Sequence, residues 1–429
     1  MTHPAPHRVR SLRCARLATV LSLCAATSCS DESGSSQARS LLDVQTPGQP
    51  TDAPSRLPRF ASGATNAPVL TWVEERGSES SERVAELRCA AWDGAQWSSA
   101  QVVASGSDWF VNWADFPALS LLDERQRLAH WLQRSAEGRY DYSVQIVRSG
   151  DGGSSWSAPE RLHTHAGPGE HGFVSLVPLA DRGWRAVWLD GRQMGDGGHD
   201  AHDAHSGAMA LYTREIAADG ALGPETRLDE RVCDCCPTAA LRDSSGAVWI
   251  AYRDRDESEV RDIALVRLES GRDPERVWSS ADGWKIAGCP VNGPALAESN
   301  GRLALAWFSM GSANSAGVHV AVSDDRGRTF APRVQLVGEH AVGRVDAVFD
   351  EHGSLIVSWL EDGDASARWC VARLDRELRT DGPHTIAPTS GARDNGIGRL
   401  TASGGSVLFA FTQVTDGQPR VAVRSLTWR

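Results

Sequence analysis

Short stretches in which hydrophobic and polar residues alternate recur along the chain, and each carries an aromatic side chain near its end. Examples are APVLTWVEE, QRLAHWLQR and SLIVSWLED. Seven such stretches occur, and their aromatic residues lie 52 to 64 residues apart, at Trp72, Trp131, Trp188, Tyr252, Trp307, Trp359 and Phe411. Alternation indicates β-strands, and a repeat of this length built from short strands is typical of propeller blades.

Each repeat has room for four strands. In the second repeat, DFPALSLL precedes the aromatic strand, YDYSVQIVRS follows it, and PERLH comes after a further turn. We therefore predict an all-β fold, a β-propeller of seven four-stranded blades that forms a single domain over residues 40–429. A six-bladed ring with one additional hairpin is the alternative. The last repeat stops one strand short, so we expect SLLDVQ, residues 40–45, to close the ring.

The composition agrees with a sheet protein and excludes one class of partner. The 41 glycines and the absence of long helical periodicity favour many tight turns. The net charge is −11, and no stripe of basic residues is present. A nucleic-acid partner is therefore not expected.

The first 29 residues have the layout of a secretory signal. Four arginines precede the apolar run LATVLSLCAATS, which is too short to cross a bilayer as a stable helix. The small residues before Cys29 resemble the bacterial lipoprotein signal, in which this cysteine is lipidated; ordinary cleavage nearby, with Cys29 incidental, is the alternative. The polar segment 30–39 would be a tether. We expect an exported monomer that contacts the cell-envelope membrane only through its lipid anchor, or that is otherwise secreted.

Two turns carry a more specific signal. SGDGGSSW (149–156) and SDDRGRTF (323–330) resemble the Asp-box, S-x-D-x-G-x-T-W, of the sialidase-like propellers. Both turns follow the aromatic strand of their repeat at a similar distance, since Trp156 comes 25 residues after Trp131 and Phe330 comes 23 after Trp307. The resemblance covers most of residues 40–429. It implies a propeller that binds or processes a glycan or another carboxylate-bearing ligand at its axial face.

The sialidase mechanism itself matches only in part. Family sialidases use three arginines on the substrate carboxylate, an aspartic acid, and a tyrosine nucleophile activated by glutamate. Arg56 and Pro58 in SRLPRF match the early Arg-x-Pro of the family, and Arg344 is a candidate for a later arginine. The nucleophile falls late in those chains, whereas the last tyrosine here is Tyr252. We therefore assign no catalytic residue; an enzymatic activity, if present, would be a glycoside hydrolysis of sialidase-like type.

The axial face is where the polar loops of a propeller meet. Loops that join one blade to the next and loops between the second and third strands open on this face. Here these loops are rich in polar residues. The loop YRDRDESEVRD carries arginines, whose forked guanidinium groups suit carboxylates, together with acidic residues; ion pairing within the loop is the alternative. We predict a ligand site lined by Asn112, Asp115, His171, Arg253, Asp254, Arg344 and Asp346.

Four cysteines fall on two of these loops. Cys233, Cys235 and Cys236 lie in RVCDCCPTAAL before the fourth blade, and Cys289 lies before the fifth. Because an exported protein meets an oxidising compartment, disulfides are the first interpretation. A zinc or copper site that includes His171 or the histidines of loop 195–207 (His199, His202, His205) is the second. A reactive thiol is the third.

Three functions therefore remain open. The first is a sialidase-like propeller that binds or processes a glycan. The second is a propeller with a structural or redox metal site formed by cysteine and histidine, in which zinc or copper is the cofactor. The third is a surface scaffold without enzymatic activity that presents the propeller to a protein partner.

Overall fold

The computed structural model describes residues 42–63, 67–77, 83–194, 207–363 and 366–429. Within these ranges the chain forms seven antiparallel sheets of four strands, arranged as a β-propeller. The predicted fold class and the count of seven blades are confirmed. Two short 3-10 helices, Ala180–Arg182 and Arg393–Asn395, also occur. No helix of the described residues is long and apolar enough to cross a membrane.

The first three blades follow a leading strand, β1 (Leu42–Gln45), that belongs to blade 7. Blade 1 contains β2 (Ser55–Phe60), β3 (Val69–Arg76), β4 (Val84–Ala91) and β5 (Gln101–Gly106). Blade 2 contains β6 (Ala118–Leu121), β7 (Arg127–Arg134), β8 (Tyr142–Ser149) and β9 (Glu160–Arg161). Blade 3 contains β10 (His171–Pro178), β11 (Gly183–Asp190), β12 (Ala210–Ala217) and β13 (Thr226–Asp229).

The remaining blades repeat the same order from the axis outwards. Blade 4 contains β14 (Ala239–Arg242), β15 (Val248–Arg253), β16 (Ile263–Leu268) and β17 (Glu275–Ser279). Blade 5 contains β18 (Ala295–Ser299), β19 (Arg302–Ser309), β20 (Gly317–Ser323) and β21 (Val334–Val337). Blade 6 contains β22 (Ala341–Phe349), β23 (Leu355–Glu361), β24 (Arg368–Leu374) and β25 (Thr380–Pro388). Blade 7 contains β26 (Arg399–Ser403), β27 (Ser406–Thr415) and β28 (Gln418–Trp428).

The ring is closed by strands from the two ends of the described chain. Strand β1 pairs antiparallel with β28, with Leu42 opposite Trp428 and Gln45 opposite Ser425. It thereby becomes the fourth strand of blade 7. This is the closure expected from the missing strand of the last repeat, and it leaves no blade with an unpaired third strand.

The aromatic residues of the repeat form the core between blades. All seven are buried, at no more than 3% exposure. Where the residue is tryptophan, its indole N–H often finds a carboxylate two residues further along the same strand: Trp72 donates to Glu74, Trp188 to Asp190 and Trp359 to Glu361 at 2.7–2.9 Å. A buried indole donor needs such a partner, so these carboxylates are part of the core.

The two Asp-containing turns that motivated the resemblance share one hydrogen-bond pattern. Ser149 Oγ and Ser323 Oγ each accept the backbone N–H four residues later, from Gly153 and Gly327, at 2.8 Å. Asp151 and Asp325 accept the backbone N–H and the side-chain hydroxyl four residues later. Those hydrogen bonds hold the pKa of both aspartates below the ordinary range. The turns therefore stabilise themselves and need no ligand.

Candidate functional site

The cysteine loop is anchored to strands of the two blades that it connects. The backbone N–H of Val232 donates to the carbonyl of Met209, next to β12, and that of Cys233 donates to the carbonyl of Arg253 at the end of β15, both at 2.9 Å. The loop then leads directly into β14, the innermost strand of blade 4. With its backbone fixed at these points, the loop directs three cysteine side chains towards each other.

The sulfur atoms of Cys233, Cys235 and Cys236 form a compact buried group. All three lie within 4.8 Å of one another, and their residues are 1%, 7% and 2% exposed. Cys233 Sγ is 2.8 Å from Cys236 Sγ and 3.9 Å from Cys235 Sγ. A disulfide bond is about 2.05 Å long. No two of the described cysteines lie at that distance, so the structure does not show the predicted disulfides.

Cys289 joins the same site from the neighbouring blade, as its position before blade 5 suggested. Its Sγ lies within 4.8 Å of Cys235 Sγ and of a carboxylate oxygen of Asp234. Unlike the other three cysteines, Cys289 is exposed. We call these four cysteines the thiol cluster; it is the predicted convergence of two adjacent loops, with three buried members and one at the surface.

Arg261 is the buried cation of the thiol cluster. Its guanidinium lies 3.4 Å from Cys233 Sγ and 3.3 Å from Asp234 Oδ1, and it also bonds Glu259 at 2.9 Å. Burial opposes its charge, but Cys233, Glu259 and Asp234 outweigh burial and raise its pKa. Arginine keeps its proton in proteins, so the site carries a fixed positive charge next to sulfur.

The thiols respond to this charge and to each other. Burial favours the neutral form of Cys233, but hydrogen bonds from Cys235 and Cys236, with Arg261 alongside, bring its pKa well below the ordinary value. The hydrogen bond to Cys233 raises the pKa of Cys235, and burial raises that of Cys236. The three buried sulfur atoms therefore form one group of potential sulfur ligands beside the Arg261 charge.

Arg253, predicted to bind a ligand, donates hydrogen bonds to backbone carbonyls. Its side chain is 1% exposed and donates to the carbonyls of Asn292, Arg261 and Phe308 at 2.7–2.8 Å, while its guanidinium lies 4.8 Å from the centre of the Trp284 ring. It thereby fixes the loops that carry the thiol cluster on blades 4 and 5. The neighbouring Asp254 bonds Arg276 at 2.6 Å.

Arg344, like Arg253, donates to backbone carbonyls, in this case those of the loop between blades 6 and 7. Its guanidinium donates to the carbonyls of Gly391, Ala392 and Gly396 at 3.0–3.2 Å and lies over the Trp113 ring. Burial lowers its pKa to about 10. Asn112, which precedes Trp113 and was also predicted to line the ligand site, accepts a hydrogen bond from the backbone N–H of Ala114 at 3.0 Å. Both predicted residues therefore have protein partners in the structure.

Asp115 and Asp346 join neighbouring blades. Asp115 Oδ2 accepts the backbone N–H of Phe173 in blade 3, and Asp346 Oδ2 accepts that of Leu400 in blade 7, both at 2.7 Å. Asn292 Oδ1 does the same for Arg344 N–H at 2.7 Å. These side chains lie on or just before innermost strands and satisfy backbone donors of the next blade, so they stabilise the ring at the axis.

Two arginines lie beside these carboxylates, and the sequence pattern did not single out the first of them, Arg59. Arg59, on β2, donates to the carbonyl of Val174 in blade 3 at 3.2 Å, and Arg399, on β26, lies 3.8 Å from Asp346. Burial and the Arg399 charge lower the pKa of Arg59 to about 10. We call Arg59, Asp115, Asp346 and Arg399 the axial group. The predicted Arg56 instead pairs with Glu75 and is 39% exposed.

His171 belongs to a separate cluster at the start of blade 3. Its ring is fully buried, stacks on His163 with ring centres 3.8 Å apart, and lies 3.5 Å from Asp190. His165 Nδ1 lies 3.2 Å from its Nε2. Within the described residues His171 is not part of the grouped metal-ligand atoms, which are cysteines and Asp234. The predicted lipidation residue Cys29 and the histidines His199, His202 and His205 lie outside the described residues.

Known proteins resemble this chain in fold. A protein of unknown function from Dyadobacter fermentans superposes with a TM-score of 0.50 at 13% identity, over 90% of this chain and 99% of that one. A GH93 α-L-arabinofuranosidase of Fusarium graminearum (TM-score 0.47, 12% identity, 91% and 98%) and the Trypanosoma rangeli sialidase (0.45, 12%, 78% and 56%) are further neighbours. Neither protein-family models nor curated protein sequences give a match. At these identities the likeness shows the propeller fold alone.

Proposed function

We propose that this protein binds a soft metal ion, Cu(I), through the thiolates of Cys233, Cys235 and Cys236. The observation that carries the proposal is the trio of buried sulfur atoms within 4.8 Å of one another. Thiolate sulfur is the ligand type that Cu(I), Zn(II) and iron–sulfur clusters prefer. The buried Arg261 charge beside Cys233 offsets part of the negative charge that three thiolates bring.

The arrangement of the four sulfurs favours Cu(I) over zinc. Structural zinc is almost always bound by four ligands in a tetrahedron, with Zn–S about 2.3 Å and sulfurs therefore about 3.8 Å apart. In this structure the fourth sulfur, of Cys289, groups with Cys235 and Asp234 but not with Cys233 and Cys236. Three buried sulfurs without a fourth suit a three-coordinate soft ion. Cys233 to Cys235 at 3.9 Å has the spacing of two ligands on one metal, whereas Cys236, at 2.8 Å from Cys233, would have to move away from Cys233 on binding.

Export is part of the proposal. We infer that the chain leaves the cytoplasm by its N-terminal signal and is tethered through Cys29, because the first residues have the layout described above. In an oxidising compartment free thiols form disulfides. A bound Cu(I) ion would occupy the sulfur lone pairs and hold Cys233 and Cys236 reduced, so metal occupancy and thiol oxidation would compete at this site.

The test is the Cu(I) stoichiometry of the purified protein in the presence of a chromogenic Cu(I) chelator. Wild type is expected to retain one equivalent, with three sulfur neighbours by X-ray absorption. Cys236→Ala is expected to lose it. Cys89→Ala is the matched control, because Cys89 is also a buried cysteine but lies on β4, far along the chain from the cluster. A disulfide within the cluster together with no metal uptake would contradict the proposal, and one zinc with four sulfurs would contradict the choice of metal.

A second candidate function is the binding of a glycan or another carboxylate-bearing ligand by the axial group. The observation that favours it is the pair of guanidinium groups, Arg59 and Arg399, on innermost strands at the axis. Arginine pairs with carboxylates through parallel N–H···O bonds, and Arg399 Nε has no hydrogen-bond partner within the described structure. The carboxylates of Asp115 and Asp346 in the same group would accept hydrogen bonds from the hydroxyl groups of a sugar.

Calorimetric titration with sialic acid tests this second candidate. Arg399→Gln is expected to weaken binding by about tenfold or more, since a charge-assisted pair is lost. Arg56→Gln is the matched control, because Arg56 lies on the same strand as Arg59 but pairs with Glu75. Equal affinity of the two variants would remove the axial group from any carboxylate site.

A further inference from the structure

The thiol cluster runs from solvent to the interior of the protein. Cys289 is exposed, Cys235 is 7% exposed, and Cys236 and Cys233 are 2% and 1% exposed. The four sulfurs are thus ordered by depth, and the outermost one comes from a different blade than the other three. A site that only held a metal ion would not require a sulfur at the surface.

Cys235 belongs to both the buried trio and the outer group that contains Cys289. It lies within 4.8 Å of Cys233 and Cys236 in the buried trio, and equally within 4.8 Å of Cys289 and Asp234 in the outer group. A metal ion held by Cys289 and Cys235 would therefore be one ligand exchange away from the trio.

We propose, building on the Cu(I) function above, that Cys289 with Asp234 is a receiving position for copper. A donor that carries Cu(I) on its own thiolate or thioether sulfur presents the ion at the surface. Cys289 binds it first, Cys235 second, and the ion then moves onto Cys233 and Cys236. The partner is thus a sulfur-ligated Cu(I) carrier, protein or small thiol, and Cys289 acts in transfer while the trio acts in storage.

The exchange needs no oxidant or reductant. At each step one Cu–S bond forms and one bond to copper breaks: Cys289 and Cys235 displace the donor's sulfur, and Cys236 and Cys233 then displace Cys289 and the Asp234 carboxylate, while copper stays Cu(I) throughout. A displaced thiolate takes the proton of the incoming thiol, and where the displaced group is a thioether or the carboxylate the proton passes to solvent. Arg261 favours the inward direction, because its guanidinium is 3.4 Å from Cys233 and stabilises the negative charge that gathers on the buried trio.

Direction also follows from the number of sulfur ligands. The outer group offers two sulfurs and one carboxylate oxygen, whereas the buried trio offers three sulfurs. Cu(I) is soft and prefers sulfur to carboxylate oxygen. The trio is therefore the stronger site, and the outer group is suited to fast loading and not to retention.

The experiment measures how fast the purified reduced protein takes Cu(I) from its glutathione complex, together with the final stoichiometry. Cys289→Ser is expected to load about tenfold more slowly, because the surface thiolate that first receives the ion is lost, with one equivalent still bound at the end; the size is taken from the lower end of the effect that groups around a metal site have on affinity or activity. Cys289→Met keeps a sulfur ligand at the surface and is expected to restore most of the rate.

Each possible outcome either supports or overturns the transfer role of Cys289. Equal loading rates for wild type and Cys289→Ser would overturn the transfer role, and so would a Cys289→Met variant as slow as the serine variant. Loss of the bound equivalent in Cys289→Ser would make Cys289 a ligand of the final site, which also overturns it. If wild type takes up no copper, the metal-binding function and the transfer role both fail. If wild type takes up copper but Cys289→Ser loads at the same rate, only the transfer role fails.

Discussion

The thiol cluster and the axial group occupy comparable places but treat their polar atoms differently. Both are built from residues on or just before innermost strands. In the axial group each carboxylate accepts a backbone N–H of the neighbouring blade, and Arg59 donates to a backbone carbonyl. In the buried trio the sulfurs contact each other and Arg261. The first region therefore holds blades together, whereas the second gathers ligand atoms that the backbone does not use.

Arg253 and Arg261 show the same contrast within one blade. They lie eight residues apart and are both buried, at 1% and 3% exposure. Three carbonyl groups occupy Arg253, whereas side chains of the thiol cluster and Glu259 occupy Arg261. A buried arginine satisfied by carbonyls supports the fold, and one that faces sulfur and carboxylate tunes a site. Burial alone does not distinguish the two.

The largest effect is expected for Arg253→Gln. The substitution removes a buried charge and leaves carbonyls of blades 4 and 5 without donors, which costs about 3–5 kcal/mol of unfolding free energy. Chemical denaturation measures this loss. Arg255→Gln is the control, because Arg255 forms a half-buried pair with Glu259 and its loss is expected to cost less than about 1 kcal/mol. A cost for Arg253→Gln as small as that of the control would show that the carbonyl contacts do not support the fold.

Asp115 predicts a pH dependence in the axial group. Burial raises its pKa to about 7, and Oδ1 has no hydrogen-bond partner among the described residues. The unfolded value is about 3.9, so the folded state binds the extra proton between these values. Stability from this group is therefore present below about pH 4 and is lost as the pH rises through about 7, by roughly 4 kcal/mol at most.

Asp115→Asn tests that sign. Asparagine keeps an oxygen that can accept the Phe173 N–H but does not titrate. Unfolding free energies measured between pH 4 and pH 8 are expected to diverge as the pH rises, with wild type losing stability relative to the variant, which does not titrate. A difference between the two proteins that stays constant with pH would contradict the raised pKa.

The fold could be predicted from the sequence because its signals are local. Each blade repeats one alternating strand with an aromatic such as Trp72 or Trp307, and the count of these strands defines the number of blades. Ring closure followed from a single missing strand, which β1 supplies. The convergence of Cys235 and Cys289 followed as well, since loops before adjacent blades are neighbours in any propeller.

The roles of the polar residues could not be predicted, because they depend on irregular backbone. The inner strands of blades 1, 3 and 6 contain bulges, with Leu57, Phe173 and Arg344 at φ of 60°, 52° and 55°. A bulge changes which side chain points to the axis and which N–H needs a partner. These bulges therefore determine the axial position of Arg59 and the contacts of Asp115. No pattern of residue types in the sequence predicts where such a bulge occurs.

The smallest effect is expected for Arg261→Gln, and it sharpens the contrast with Arg253. Glutamine can still donate to Asp234 or Cys233 but removes the positive charge, so the Cu(I) complex of the trio loses the cation that offsets its negative charge. Cu(I) affinity is expected to fall about 10- to 100-fold, as for partners that surround a metal site, while stoichiometry stays at one. Competition with a chromogenic chelator measures it. Arg261→Lys retains a charge and is expected to lose less; if lysine and glutamine weaken binding equally, geometry and not charge is what Arg261 contributes.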